Sequence, residues 1–246
     1  MFVLGVDTAT AVTSVAVGNE AGNLASVAVR HERAHAELLA PSVRWVLDHA
    51  GVEPSSFAGI AVGTGPGLFT GLRVGVASAK ALAQAWKLPM VAVPSLDLVA
   101  FAHRHASKTI CATIDARRGE LFAALYRHAP RGIQRTTRYA VMRPDRLAAE
   151  LEARREDVLL CGEAVLLHGP MFERFCQEAG GSAQATPSAE SLVELALPRF
   201  HREQTSRPLD VTPMYLRRPD VDPSVEQRLA ASRPGRPGGG TVAAGA

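Results

Sequence analysis

The feature that most constrains this chain is a pattern used twice. A short apolar run ends on an aspartate, a second strand-like run follows a turn, and helices then alternate with strands. Asp7 closes the first run in Val6-Asp7-Thr8-Ala9-Thr10, and Asp115 closes the second in Ile114-Asp115-Ala116-Arg117-Arg118-Gly119. Such a repeat predicts two α/β halves, each a mixed sheet flanked by helices, over residues 1–104 and 105–218 with the boundary at 103–108. In the first half, Val-rich runs at 2–6, 13–18 and 25–30 lie between Asn/Gly turns and predict an antiparallel meander. Leu39, Val43, Val46 and Ala50 share one helical stripe, and Pro41 limits how far that helix extends backwards. A strand at 59–63, a glycine-rich turn, a helix at 71–86, a strand at 89–93 and a helix to Ala102 complete the half. Thr70 and Ser95 are the expected N-caps of the two helices. The second half reads as strands at 109–115 and 121–126, a helix after Pro144, a strand at 158–161, and helices to about 178 and over 189–201.

Composition sets the class. Of 246 residues, 47% are hydrophobic and 21% charged, which is ordinary for a globular chain able to enclose a core. A net charge of +3 is too small to mark a nucleic-acid binder by bulk electrostatics. Cys111, Cys161 and Cys176 show no C-x-x-C spacing, and two of them sit in apolar runs, so buried reduced thiols in a cytoplasmic protein are expected. Asp7 interrupts the N-terminal apolar run too early for a signal peptide, and no apolar run of about 18 residues suggests a membrane span. The segment Ala231-Ser232-Arg233-Pro234-Gly235-Arg236-Pro237-Gly238 cannot bury enough apolar surface to offset ordering, so 219–246 is expected to be a disordered tail. Arg217, Arg218, Arg228, Arg233 and Arg236 could follow a phosphate backbone, but a solvated basic tail is the commoner outcome.

Two motifs resemble chemistry they do not support. The glycine-rich turn from Gly63 to Gly71 is followed by Leu72-Arg73, whereas a P-loop needs Lys then Ser/Thr there. His31-Glu32-Arg33-Ala34-His35 spells H-E-x-x-H, but zinc requires both imidazoles on one helix face and a third ligand downstream. His31 directly follows a strand, Pro41 argues against one regular helix carrying both, and no third ligand follows. No metal site is expected.

The segment Gly63-Thr64-Gly65-Pro66-Gly67-Leu68-Phe69-Thr70-Gly71-Leu72-Arg73-Val74-Gly75 resembles the signature of the TsaB family, also called YeaZ. Asp7-Thr8-Ala9-Thr10, Arg33-Ala34-His35-Ala36-Glu37, Asp115-Ala116-Arg117-Arg118-Gly119-Glu120 and Pro213-Met214-Tyr215-Leu216-Arg217 match it in the same order. The resemblance implies two actin-like (ribonuclease-H-like) domains. It also implies a place in the assembly that puts threonylcarbamoyl on the adenosine beside the tRNA anticodon. There a TsaD-type subunit is catalytic, a TsaE-type ATPase completes the set, and tRNA is met through the complex. TsaD-type proteins carry an H-x-x-x-H metal pair where this chain has Ser95 and Val99, which implies a non-catalytic partner without a cofactor of its own, ATP acting at the level of the complex. Asp7, Thr8 and Thr10 would be a vestigial phosphate loop, since Ala9 takes the usual glycine position and its Cβ intrudes where backbone must approach phosphate. The alternative is an actin-like ATPase or kinase, or a glycoprotease-like metallopeptidase, acting alone.

The helix at 71–86 is nearly apolar all round, so it must be covered on more than one side. Gly71, Gly75, Ala79 and Ala83 recur every four residues, with Leu82 beside them, as a smooth stripe that another helix can approach closely. With the family's habit of pairing through first-domain helices, the stripe is expected to face a TsaD-type partner or a second copy, the alternative being a central helix covered entirely within its own domain.

Overall fold

Valine alternation and tight turns at the N-terminus produce a meander: β1 (Phe2–Asp7), β2 (Val12–Asn19) and β3 (Gly22–Arg30) pair antiparallel. After α1 (His35–Ala50), β4 (Phe57–Gly63) adds parallel to β1, and after α2 (Phe69–Trp86), β5 (Met90–Val93) adds parallel to β4. The strand order is β3-β2-β1-β4-β5. The computed structural model describes residues 1–31, 34–130, 132–176 and 184–217, and the expected tail at 219–246 lies outside them. Among the described residues no helix is long and apolar enough to cross a membrane.

Central β1 is buried on both faces, which is why its apolar run is continuous. Leu4 and Val6 meet Leu39, Val43 and Val46 of α1 and Val76, Ala79 and Ala83 of α2. Val3 faces the other way, with Ala16, Ala61, Val91 and Val93. That second face is covered by α6 (Ala189–His201) through Leu192, Val193, Ala196 and Phe200. The chain then stays with the first sheet. Met90 and Ser206 form a bridge, Lys80 Nζ donates to the carbonyls of Leu209 and Val211 at 3.3 and 3.0 Å, and the Met214 amide donates to the Thr64 carbonyl at 2.7 Å. The expected continuous second half over 105–218 is therefore corrected: the first lobe is discontinuous, and residues 189–214 complete it. Periodicity identified α6 as an amphipathic helix but carries no information about which sheet lacks a cover.

The second sheet contains β6 (Thr109–Arg117), β7 (Glu120–Ala129), β8 (Gly132–Arg135), β9 (Ala140–Met142) and β10 (Val158–Gly162), in the order β10-β6-β7-β8, with β9 also on β7. Only β10 is parallel to its neighbour β6. One face packs on α4 (Pro144–Glu152) and α5 (Glu163–Phe172), the other on α3 (Ser95–Ala102). Strands β8 and β9 escape sequence reading because they have four and three residues and no alternation.

Three local expectations are corrected. α1 runs through Pro41, because Pro41 and Glu37, whose carbonyl loses its partner, both face solvent. α5 stops at Phe172, beyond a break at His168 (φ −134°, ψ 27°) just before Gly169-Pro170. Thr70 and Ser95 lie inside their helices, and neither caps: Leu68 and Pro94 hold the cap positions without side-chain hydrogen bonds.

Candidate functional site

In the turn after β1, the Asp7 carboxylate, the Thr8 and Thr10 hydroxyls and the Ala9 backbone are all bonded within the chain. Asp7 is 1% exposed. Its Oδ1 accepts from the Ala9 amide at 2.9 Å, and its Oδ2 accepts from Ser95 Oγ at 2.7 Å. Burial pushes its pKa up, against both hydrogen bonds. Thr8 Oγ1 donates to the Gly71 carbonyl at 2.7 Å, and Thr10 Oγ1 accepts from the Val12 amide at 3.3 Å. The Ala9 carbonyl accepts from the Leu68 amide at 2.7 Å. Thus the turn is roofed by the glycine-rich loop and the first turn of α2. The fit explains the glycines: a Cβ at Gly67 would stand 2.2 Å from the Ala9 carbonyl oxygen. The P-loop pattern already fails in the sequence; the structure adds what the glycines meet, which spacing does not give.

Ser95 and Val99 are both wholly buried. Ser95 Oγ also accepts from the Gly65 amide at 3.0 Å, while its own amide donates to the Gly65 carbonyl at 2.7 Å. Ser95 therefore ties α3 to the Asp7 turn and the glycine loop, a structural task that its comparison with a metal ligand did not reveal. Val99 packs in the core between α3 and the second sheet.

The Asp115 turn is built differently. Arg117, Arg118 and Gly119 have φ of 62°, 57° and 71°, a left-handed run in which only the last is a glycine. Asp115 Oδ1 accepts from the Arg117 amide at 2.8 Å, and the Arg117 guanidinium lies 3.5 Å from its other oxygen. Glu163 turns its Oε2 onto the Asp115 amide at 3.0 Å, and burial raises the Glu163 pKa. At Gly162 (φ 98°) a Cβ would meet the Thr113 carbonyl at 2.0 Å, fixing the β10–α5 turn.

The two histidines of the H-E-x-x-H motif do not share one helix. β3 ends at Arg30, the His31 amide donates to the Ala11 carbonyl at 2.8 Å, and α1 begins only at His35. Glu32 and Arg33 lie outside the described residues. His35 Nδ1 shares a hydrogen bond with Thr13 Oγ1 at 2.8 Å, and burial lowers its pKa. Among the described residues no three His, Cys, Asp or Glu side chains cluster as a metal site.

The expected interface stripe is corrected. Gly71, Gly75, Ala79 and Ala83 point into their own domain: a Cβ at Gly75 would sit 2.1 Å from Thr8 Oγ1, and one at Gly71 would sit 2.1 Å from the Thr8 carbonyl oxygen. Leu82 is half-buried against the same core. The small residues let α2 lie close to the β1 turn, so its near-apolar sequence reflects intramolecular burial. The face of α2 left outward carries Thr70, Arg73, Ala77, Ala81 and Gln84. Arg73 stacks 3.9 Å over the Phe69 ring and donates from Nε to Tyr215 Oη at 3.3 Å.

Fold and site together define the class: a two-lobed actin-like protein whose β1 turn is covered by its own glycine-rich loop and α2. A solved activator of 2-hydroxyisocaproyl-CoA dehydratase from Clostridium difficile shares this fold alone, at 9% identity and a TM-score of 0.52 over 87% of this chain and all of that one. Within the class, the family model "TsaD: tRNA N6-adenosine threonylcarbamoyltransferase" matches residues 27–219. A tRNA threonylcarbamoyladenosine biosynthesis protein TsaB from Bacillus subtilis is 30% identical over 79% of this chain and 86% of its own length. The structure of YeaZ from Pseudomonas aeruginosa matches at 32% identity and a TM-score of 0.74, covering 87% of this chain and 99% of the other. The chain belongs to the TsaB (YeaZ) family.

Proposed function

We propose that this protein is a non-catalytic subunit of the assembly that transfers a threonylcarbamoyl group to the adenosine next to the tRNA anticodon, acting in the cytoplasm beside a TsaD-type catalytic subunit. One observation carries the reading: the Asp7 carboxylate, the Thr8 and Thr10 hydroxyls and both backbone groups of Ala9 are bonded within the chain, and the glycine-rich loop and first turn of α2 pack directly on this turn. A phosphate would have to displace the Leu68–Ala9 hydrogen bond and the packing of Gly67 and Gly71 behind it. The protein then has no nucleotide of its own, and ATP is handled by its partners, a TsaE-type ATPase among them. Membership of the TsaB family supplies the pathway.

The outward face of α2 fits the partner role better than the inward one. Thr70, Ala77 and Ala81 keep it low, and Arg73 with Phe69 and Tyr215 gives it an aromatic end. Trp45 on neighbouring α1 is 43% exposed, unusual for so large an apolar side chain. This surface would take the TsaD-type subunit, or a second copy when the protein is alone.

The test is reconstitution of threonylcarbamoyl transfer to tRNA with and without this chain, with ATP–Mg titrated calorimetrically into the isolated protein. Loss of transfer on omission and no heat of nucleotide binding are expected. Tight ATP binding with turnover would overturn the reading. Ala81→Glu should abolish co-elution with the TsaD-type subunit and leave the melt unchanged, since surface changes usually stay within about 0.5 kcal/mol.

A further inference from the structure

A half-open cleft lies at the edge of the second sheet, where β9 and the C-terminal end of α4 meet. In the β7–β9 ladder, Leu121 stands opposite Met142, a pair that fills its space, but the next pair on that face is Ala123 opposite Ala140. Two methyl groups face α4 there, and a cavity of about 340 Å³ opens between sheet and helix, lined by Cys111, Ala123, Leu125, Met142, Leu147 and Leu151. The cleft is half open to solvent, and its volume falls at the small end of the range that small-molecule sites occupy.

Its rim is already built. The Leu125 amide donates to Thr137 Oγ1 at 2.9 Å, and the Leu125 carbonyl accepts from the Thr136 amide at 2.8 Å, so the wall keeps its backbone bonds without an occupant. Three charged side chains stand at the mouth: Arg138, Glu150 and Arg154. Glu150 accepts from Arg146 Nε at 3.1 Å, and Arg154 pairs with Glu156 at 2.5 Å. Arg138 makes no ion pair or hydrogen bond among the described residues. The site thus offers an apolar interior and one uncommitted guanidinium.

We infer that this cavity binds a compact amphipathic monoanion, with an aliphatic body against Leu125, Met142 and Leu151 and a carboxylate or similar head at Arg138. A cavity of about 150 Å³ accepts benzene, so this one suits a chain of about eight carbons. The site lies in the second lobe, away from α2, and does not depend on the role proposed above.

The probe is octanoate, with octanol as its neutral counterpart, added to full-length protein carrying ¹³C-labelled methionine methyls. Octanoate should move the Met142 methyl signal saturably and leave Met90, in the core of the first sheet, unmoved. Arg138→Ala should weaken octanoate about fivefold, as an exposed ion pair would, and leave octanol unchanged. Ala140→Leu should fill the space and abolish both responses, and Ala153→Leu provides the same block from the end of α4 if the first variant fails to fold. An unmoved Met142, or a response that survives a folded filling variant, overturns the site. Octanol matching octanoate, with no effect of Arg138→Ala, overturns the anionic head.

Discussion

Gly75→Ala isolates the closure of the β1 turn in a single methyl group. In a solvent-facing helix the change would stabilise by about 0.8–1.0 kcal/mol, because alanine restricts the unfolded backbone. Here the new Cβ would sit 2.1 Å from Thr8 Oγ1 and 3.3 Å from Thr8 Cβ, both fixed to a central strand. Relief requires Thr8 to leave its rotamer and, because Thr8 Cβ also lies close, α2 to move outward as well. Overpacking costs about 1–3 kcal/mol, and rotating Thr8 forfeits its buried hydrogen bond to the Gly71 carbonyl, worth about 1 kcal/mol. Set against the helix gain, the net is a destabilisation of about 2 kcal/mol. For a chain of this size that is about 4–8 °C in melting temperature.

The measurement is urea denaturation of four proteins: wild type, Gly75→Ala, Thr8→Ala and the double variant. Thr8→Ala removes the clashing hydroxyl, so adding Gly75→Ala in that background should become neutral or stabilising. The double-mutant cycle should therefore show a coupling of about 2 kcal/mol. A Gly75→Ala protein as stable as wild type would refute the packing of α2 on the β1 turn. So would a cost that persists undiminished without the Thr8 hydroxyl, because some other contact would then be responsible.

Asp7→Asn replaces a carboxyl whose folded pKa is raised by burial above the ordinary 3.8. The folded state binds that proton more tightly than the unfolded chain, so the wild type loses stability relative to the variant as pH rises above 3.8; a pH-independent difference across urea melts from pH 4 to 8 would contradict this. Asp97 accepts from Tyr126 Oη at 2.7 Å and Tyr139 Oη at 2.8 Å, so Asp97→Ala should cost about 3 kcal/mol. Tyr139→Phe should cost about 1 kcal/mol, and equal effects in denaturation would show that Asp97 does not join the two phenols. Gly162→Ala combines a left-handed backbone with a carbonyl clash, and soluble yield together with melting temperature should fall more than for Gly75→Ala.

Much of the fold was legible along the chain because its signals are local. Apolar runs ending at Asp7 and Asp115, turn residues between them, and the stripe of Leu39, Val43 and Val46 each sit within a few residues of one another, and they located β1 to β3, α1, β6, β7 and α6. The family, too, was carried by short motifs in order. What the chain alone left open concerns surfaces that meet across long separations. A helix with apolar residues on every side declares that it is covered but not by what, and only packing showed that Gly71 and Gly75 close on Thr8. Ser95 looked like a missing ligand and an N-cap; it became the link between Asp7 and Gly65 because α3 starts where those two turns converge. α6 was read as part of the second half because it follows it, yet its apolar stripe covers the second face of the first sheet. Local periodicity fixes what each segment buries. Which segments bury it together depends on the sum of apolar area and steric fit over the whole chain, and that sum exists only in three dimensions.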